Sequence, residues 1–180
     1  SVADVLRGGL FGRVPRSILL SATLGPRDGG FAWIRERLGL EKAEALELGS
    51  PFPYDRNVIL DVEEGLPDPS QDRQGFETEA SERAATLAVE NGGRALILCT
   101  SWRFVNRCRE ILAPRLEEEG IPLLVQGDQP LHQLIQRKLA EPESVLIGTD
   151  SLWEGIDIPG DAVTLVILTR FPFPVPTHPL

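Results

Sequence analysis

Apolar and polar residues follow one another along the second half of this chain in the rhythm of an α/β protein. Strands that alternate with helices indicate a mainly parallel sheet with helices on both of its faces. Pro114 falls within the second predicted helix and is expected to kink or interrupt it. Apolar runs predict strands at residues 94–99, 123–125, 145–147 and 163–168, and apolar residues at helical spacing predict helices over residues 76–88, 105–116 and 131–139.

The first 74 residues are less regular than the rest of the chain. An apolar run at residues 17–20 predicts a buried strand that ends at Ser21, and residues 57–62 predict another strand. A short helix is expected over residues 31–38, because its apolar residues share one side and Gly39 follows. Residues 65–74 are rich in Pro, Asp and Gln, which favours a loop.

The composition is that of an ordinary globular protein, with 42% hydrophobic and 25% charged residues. No apolar run approaches the roughly 18 residues of a membrane span, and no signal peptide is evident, so a cytoplasmic location is expected. Cys99 and Cys108 are predicted to be buried thiols in a reducing compartment. The net charge of −9 counts against a stand-alone nucleic-acid binder, although an acidic domain can still present a polar, locally basic face to a strand.

Polar side chains follow several of the predicted strands. Ligands bind at the carboxyl edge of open α/β sheets, so these groups are candidates for one common site. Each group alone is also compatible with a capped turn, and Trp102 is compatible with either the core or a stacking surface. The candidates are Ser21 and Thr23 after the first run, Thr100, Ser101 and Trp102 after the second, Gln126 after the third, and Thr149, Asp150, Ser151, Glu154 and Asp157 after the fourth.

The sequence lacks the motifs of several kinds of catalytic site. It contains no G-x-x-x-x-G-K-[ST] loop, no G-x-G-x-x-G after a strand and no G-x-S-x-G. No set of ligands with the spacing of a zinc or iron–sulfur site is present either, so no metal site is predicted. The chain is therefore not expected to hydrolyse nucleotides without further segments.

The order of these segments resembles the second motor domain of DinG/XPD-like superfamily-two DNA helicases, in particular the bacterial DinG branch. SATL resembles motif III and is common to many helicases, whereas the WEGID-PG run with the proline-rich segment after it is much more specific. The matching segments are ILLSATL at residues 18–24, SPF at 50–52, ALILCTSW at 95–102, LVQGD at 124–128, GTDSLWEGIDIPG at 148–160, and RFPF with P and PL over 170–180.

The resemblance implies a RecA-like three-layer sandwich and a division of the chain into three parts. Residues 1–24 would end the first motor domain with the motif III strand. Residues 25–74 would form a connector that includes the strand predicted at 57–62. Residues 75–180 would form the second RecA-like domain, cut before motif VI, which supplies an arginine finger in this family. The chain is therefore expected to be a piece of a longer protein and to be inactive alone.

The resemblance also implies partners and roles. Two RecA-like domains of one chain clamp ATP with Mg²⁺ and move on single-stranded DNA, whereas any iron–sulfur cluster would lie outside this chain, which would bind no cofactor alone. Ser21, Thr23, Gly155 and Asp157 would lie at the ATP cleft or couple it to DNA. The DNA-binding candidates are Thr100, Ser101, Trp102, Gln126, Thr149, Asp150, Ser151, Trp153 and Glu154.

Other functions remain open at this point. A DinG-related nuclease would use the same module together with an acidic metal-binding cluster elsewhere in the protein. A Rossmann-type enzyme would bind a nucleotide or a sugar without any dependence on DNA, although the glycine-rich fingerprint is missing. A plain interaction module is the third possibility.

Overall fold

The computed structural model describes residues 2–21, Leu24 and residues 30–172 of the chain. The chain forms two compact units, of which one ends at Asp61 and the other begins at Val62. None of the helices in the described part is long and apolar enough to cross a bilayer. The first unit contains α1 (Val2–Gly9), a 3₁₀ turn (Phe11–Arg13), α2 (Ala32–Leu38) and α3 (Tyr54–Asn57).

The first unit is held by local hydrogen bonds and exposed ion pairs. Gly39 ends α2 in the left-handed conformation, with φ of 72°, and its N–H donates to the carbonyls of the last helical turn, as the sequence predicted. Arg7 of α1 reaches the segment after α2, where Nη2 lies 2.7 Å from Glu41 Oε1. Among the residues described in this unit, no apolar side chain is buried.

The two strands predicted in the first unit are wrong. Residues 17–20 are irregular, and Ile18 and Leu20 are 84% and 88% exposed. Asn57 ends α3, and the residues after it form no strand, with Ile59 96% exposed. A strand is stable only when a neighbouring strand satisfies its backbone, and the described part of this unit offers none.

The second unit is built on a four-stranded parallel sheet. The strand order is β2-β3-β1-β4, so β1 lies between β3 and β4, and Leu96 aligns with Leu146 and Val166. This topology confirms the predicted mainly parallel sheet. The strands are β1 (Ala95–Leu98), β2 (Leu123–Val125), β3 (Val145–Gly148) and β4 (Leu165–Leu168), and the helices are α4 (Arg73–Glu90), α5 (Trp102–Glu118), α6 (Leu131–Ala140) and 3₁₀ turns at Asp150–Leu152 and Gly160–Ala162.

The sheet has a core on each face, which gives three layers. On one face, Ile97 of β1 belongs to a cluster that includes Ala84 of α4 and Leu112 of α5. On the other face, Leu96 of β1 packs in a cluster with Leu134 of α6. All residues of β1 and β3 are buried, which explains their continuous apolar runs. The edge strand β4 is only partly buried, in an alternating pattern.

Helix ends in this unit follow capping rules. Asp72 caps the start of α4, and its Oδ1 accepts from the N–H of Gly75 at 2.8 Å. Ser101 caps the start of α5, and its Oγ accepts from the N–H of Phe104 at 3.3 Å. The helix α5 continues through Pro114, so the predicted interruption does not occur. Pro114 lies on the exposed side, where water can satisfy the carbonyl left without a donor.

Among the residues of the second unit whose burial is described, two charged side chains are buried. Lys138 caps the end of α6, and its Nζ donates to the carbonyls of Pro142 and Ser144 at 2.9 and 2.5 Å. Burial away from water, together with the nearby positive charge of Arg94, lowers the pKa of Lys138 to about 8. The second buried charge, Glu77, lies near the start of α5 and is described with the site.

Candidate nucleic-acid interface

The carboxyl ends of β1, β2 and β3 meet at one edge of the sheet, as parallel strands require. Residues 99–102 follow β1, residues 126–128 follow β2, and residues 148–154 end and follow β3. These three segments are named the carboxyl rim here. The rim brings together the candidates that the sequence placed after three separate strands.

Gln126 joins two of the three rim segments with both ends of its amide. Its Oε1 accepts from the backbone N–H of Thr149 at 2.7 Å, and its Nε2 donates to Ser151 Oγ at 2.7 Å. The backbone N–H of Gln126 also continues the sheet by donating to the Ile147 carbonyl at 2.9 Å. A short amide side chain thus fixes the course of the loop after β3 relative to the end of β2.

Gly148 makes room for this bridge. A Cβ placed on Gly148 would collide with the side chains of Gln126 and Leu152. The sequence analysis included Gly148 only as the first residue of the matching segment at 148–160, and it did not predict which side chain would cross it. The sequence signal for this close approach was a glycine at the end of a buried strand whose other residues are bulky.

Trp153 attaches the loop after β3 to β1. Its Nε1 donates to the Cys99 carbonyl at 3.1 Å, and its half-buried ring packs against the core cluster that contains Leu152. Thr149 is 1% exposed, and its carbonyl accepts from the N–H of Leu152 at 3.0 Å. These residues therefore hold the loop in place from inside the rim.

The start of α5 contacts the turn after β2. Trp102 is 48% exposed, and a Cβ built on Gly127 would lie 3.5 Å from Cζ3 and Cη2 of its ring. Arg109 Nη1 of the same helix lies 2.9 Å from Asp128 Oδ1 in this turn. The turn at residues 126–128 is therefore connected both to α5 and to the loop after β3.

The rim is polar but contains no cationic side chain, since residues 99–102, 126–128 and 148–154 include neither Lys nor Arg. The adjacent Arg103 donates from Nε and Nη2 to Glu77 Oε2 at 3.1 and 2.9 Å, and Arg73 Nε donates to Glu77 Oε1 at 2.9 Å. Burial acts to raise the pKa of Glu77, but the hydrogen bonds and charges of both arginines outweigh it and keep this pKa below its ordinary value.

The remaining candidates lie in other parts of the loop after β3 or outside it. Glu154, Gly155 and Asp157 are exposed in the loop after the 3₁₀ turn, and Gly155 has φ of 75°, which favours glycine. Asp150 begins that 3₁₀ turn. Ser21 is an exposed residue of the first unit, and Thr23 lies outside the described residues.

The two cysteines lie in the core, Cys99 at the first position of the rim segment after β1 and Cys108 on α5. Both are free and fully buried, as predicted, with 3.9 Å between their sulfur atoms and Ser81 Oγ 3.1 Å from Cys108 Sγ. The hydrogen bond to Cys108 and burial together raise the pKa of the Cys99 thiol. Within the described residues, no group of three or more His, Cys, Asp or Glu side chains is placed to hold a metal ion.

Comparison with known proteins identifies the family. Residues 84–180 match the family model described as "Helicase C-terminal domain". The "ATP-dependent helicase DinG" of Mycobacterium tuberculosis is 37% identical over 183 residues, which cover all of this chain and 27% of that protein. The "ATP-dependent DNA helicase YoaA" of Escherichia coli is 36% identical over 181 residues, again with all of this chain and 27% of that protein.

A further relative carries a different name. The "3'-5' exonuclease DinG" of Bacillus subtilis is 31% identical over 183 residues, which cover 98% of this chain and 19% of that protein. The chain thus spans only about a quarter, or less, of the length of these curated relatives. The family model covers more than half of the chain and agrees with the parallel three-layer fold. The chain therefore belongs to the helicase C-terminal domain family and is a DinG/XPD-like member of it.

Proposed function

We propose that this chain forms the second motor domain of an ATP-dependent helicase that moves on single-stranded DNA, with the carboxyl rim as its DNA surface. The observation that carries the proposal is the Gln126 bridge, which holds the loop after β3 through Thr149 and Ser151. The relatives named as ATP-dependent helicases support the same activity. Their family membership favours this function over a nuclease or a Rossmann-type enzyme.

The chemistry of the rim suits backbone contacts with DNA. Hydroxyl and amide groups bind phosphates and sugars without reading the sequence of bases, as a translocating motor requires. Thr100, Ser101 and Ser151 are at least partly exposed. The Ser101 hydroxyl accepts a hydrogen bond from Phe104, but it can still donate its own hydrogen to a phosphate.

The burial of individual residues divides the proposed DNA site into two groups. Thr149 is buried and Trp153 is half-buried, so both support the loop from behind. The exposed Ser151 and Glu154 lie on the outside of that loop and are the stronger candidates for direct contact. Gln126 is partly exposed and supports the loop after β3 from the turn after β2. Asp150 lies within the loop after β3 itself.

The ATP side of the proposal uses the same loop. Gly155 and Asp157 are exposed a few residues beyond Ser151, so one short segment would link DNA contact to the nucleotide cleft. Ser21 and Thr23, as part of the first motor domain, would couple the nucleotide cleft to DNA contact. ATP and Mg²⁺ would be held mainly by that domain of the full-length protein, and any iron–sulfur cluster would lie outside this chain.

The proposed domain division also follows from this function. Residues 1–24 would complete the first motor domain, residues 25–74 would connect, and residues 75–180 would form the second. The division between the two units at Asp61 and Val62 falls inside the proposed connector. A DNA motor of this kind would act in the bacterial cytoplasm, in DNA repair, with single-stranded DNA, ATP and its own first motor domain as partners.

The test is ATP hydrolysis by the full-length protein with and without single-stranded DNA. Gln126→Ala frees the loop after β3, so about tenfold more DNA should be needed for half-maximal stimulation. Asp157→Ala should instead lower turnover at saturating DNA. Gln133→Ala and Asp161→Ala are matched controls, because both residues are exposed outside the rim.

Two results would contradict the proposal. Turnover that is indifferent to DNA in the wild-type protein would exclude a DNA motor. A Gln126→Ala variant that is indistinguishable from Gln133→Ala would show that the bridge has no part in DNA binding.

A further inference from the structure

The two tryptophans of the carboxyl rim are held in different ways. Trp153 is half-buried and donates from Nε1 to the Cys99 carbonyl at 3.1 Å, so it has a structural partner. Trp102, at the first position of α5, keeps 48% of its surface exposed. An indole left in water forfeits the free energy that burial of its large apolar area would provide. A ligand that covers Trp102 would recover that free energy.

The Trp102 ring lies beside the turn after β2, where a Cβ added to Gly127 would come within 3.5 Å of ring atoms Cζ3 and Cη2. Gly127 has φ of 97°, a backbone conformation that L side chains rarely adopt. The ion pair of 2.9 Å between Arg109 and Asp128, together with the Gln126 bridge, holds the turn.

The turn beside the ring, residues 126–128, carries a single carboxylate. That carboxylate, Asp128, is paired with Arg109. Ser101, immediately before Trp102, presents a hydroxyl that suits a phosphate. A phosphate contact and an exposed aromatic ring are therefore placed side by side at the start of α5.

We infer that Trp102 stacks on a nucleobase of the bound single strand, an inference that rests on the proposed function. Every base has an aromatic face, so stacking adds affinity without selecting a sequence. This role differs from the backbone contact that the family resemblance implies for this position. It makes binding depend on the bases themselves, in addition to the phosphates.

The experiment measures binding of the full-length protein to two fluorescently labelled strands. One is an oligothymidylate, and the other is a strand of equal length whose sugars carry no bases. Wild-type protein should bind the oligothymidylate more tightly. Trp102→Ala should weaken binding of the oligothymidylate about tenfold and leave binding of the abasic strand nearly unchanged. Trp102→Phe keeps an aromatic ring and should recover most of the loss.

A matched control is available in the first unit. Trp33 is 56% exposed, with Arg37 Cζ 5.6 Å from its ring centroid, and lies outside the rim. Trp33→Ala should bind both strands like the wild type. Thermal unfolding of Trp102→Ala, compared with wild type, shows whether the variant remains folded. Quenching of tryptophan emission by the oligothymidylate, reduced in the folded Trp102→Phe variant, gives an independent readout.

The outcomes separate the inference from the proposed function. Equal loss of affinity for both strands in Trp102→Ala, or no loss for either, would overturn stacking while DNA binding by the wild type stands. Equal binding of both strands by the wild type would also overturn it. A wild-type protein that binds neither strand would overturn the proposed function and the stacking together.

Discussion

The two units of this chain differ in how far their apolar residues are buried. The first unit has apolar runs as strong as those of the second, yet among its described residues no apolar side chain is buried. In the second unit, Ile97 and Val145 are fully buried between the sheet and its helices. The difference teaches that burial depends on the presence of a partner layer as much as on hydrophobicity.

Ile18 and Ile97 illustrate the point most clearly. Both lie in short apolar runs that end in hydroxyl side chains, and the sequence predicted a strand for each. Ile97 has parallel neighbours on both sides, at Ile147 and Ile167. Ile18 is 84% exposed, and in the proposed function its partner strands belong to the first motor domain.

Truncation of these two isoleucines should give the largest difference in stability. Ile97→Ala leaves a cavity in a closed core and should lower the free energy of unfolding by about 2 to 5 kcal/mol. Ile18→Ala removes an exposed side chain and should change it by less than about 0.5 kcal/mol. Urea unfolding of the 180-residue chain, followed by circular dichroism, provides the measurement. Similar losses in both variants would mean that Ile18 is buried in solution.

Two glycines sharpen the comparison at a smaller scale. Gly148→Ala places a methyl group against Gln126 and Leu152, and should destabilise the chain by about 1 to 3 kcal/mol. Gly49→Ala in the first unit meets nothing within 4 Å and should be neutral or slightly stabilising. The same unfolding assay compares them. A neutral Gly148→Ala would show that the Gln126 bridge is absent or easily displaced.

Substitution of two glutamates should give the smallest difference in the free energy of unfolding, and this difference should depend on pH. Glu77 is 5% exposed and accepts from two arginines, so Glu77→Gln should cost about 1.5 kcal/mol at neutral pH. Glu41 pairs with Arg7 in an exposed position, so Glu41→Gln should cost about 0 to 0.5 kcal/mol. Unfolding at neutral pH compares the two variants.

The pH dependence of the Glu77 effect has a fixed sign. The folded pKa of Glu77 is below its ordinary value, so its contribution is complete above the ordinary carboxyl pKa. That contribution is lost as pH falls through the lowered folded pKa. The gap between wild type and Glu77→Gln should therefore close on acidification. A gap that widens in acid would mean that burial, which raises the pKa, outweighs the two arginines.

The sequence predicted the second unit well because its signals are local. Continuous apolar runs and helical spacing identify β1, β3, α4 and α6, and the alternation of strands with helices predicts that the strands are parallel. The polar strand ends were found for the same reason. The first unit was predicted less well, because an apolar run such as residues 17–20 does not reveal whether its partner strands lie within reach.

The internal connections of the rim were beyond local patterns. The Gln126 amide reaches a residue 23 positions away, and the Trp153 indole reaches one 54 positions away. Both contacts depend on which strands are neighbours, and spacing along the chain does not encode that. The same holds for the ion pair of Glu77 with Arg103 on α5, whereas Arg73 lies four residues from Glu77 on the same helix.

Hydrogen exchange of the full-length protein, with and without saturating single-stranded DNA, tests the central claim most directly. The account predicts slower amide exchange at residues 100–103, 126–128 and 149–155 when DNA is bound. Residues 119–122 and 141–143, at the opposite edge of the sheet, should exchange as before. Protection at that opposite edge, with the carboxyl rim unchanged, would contradict the account.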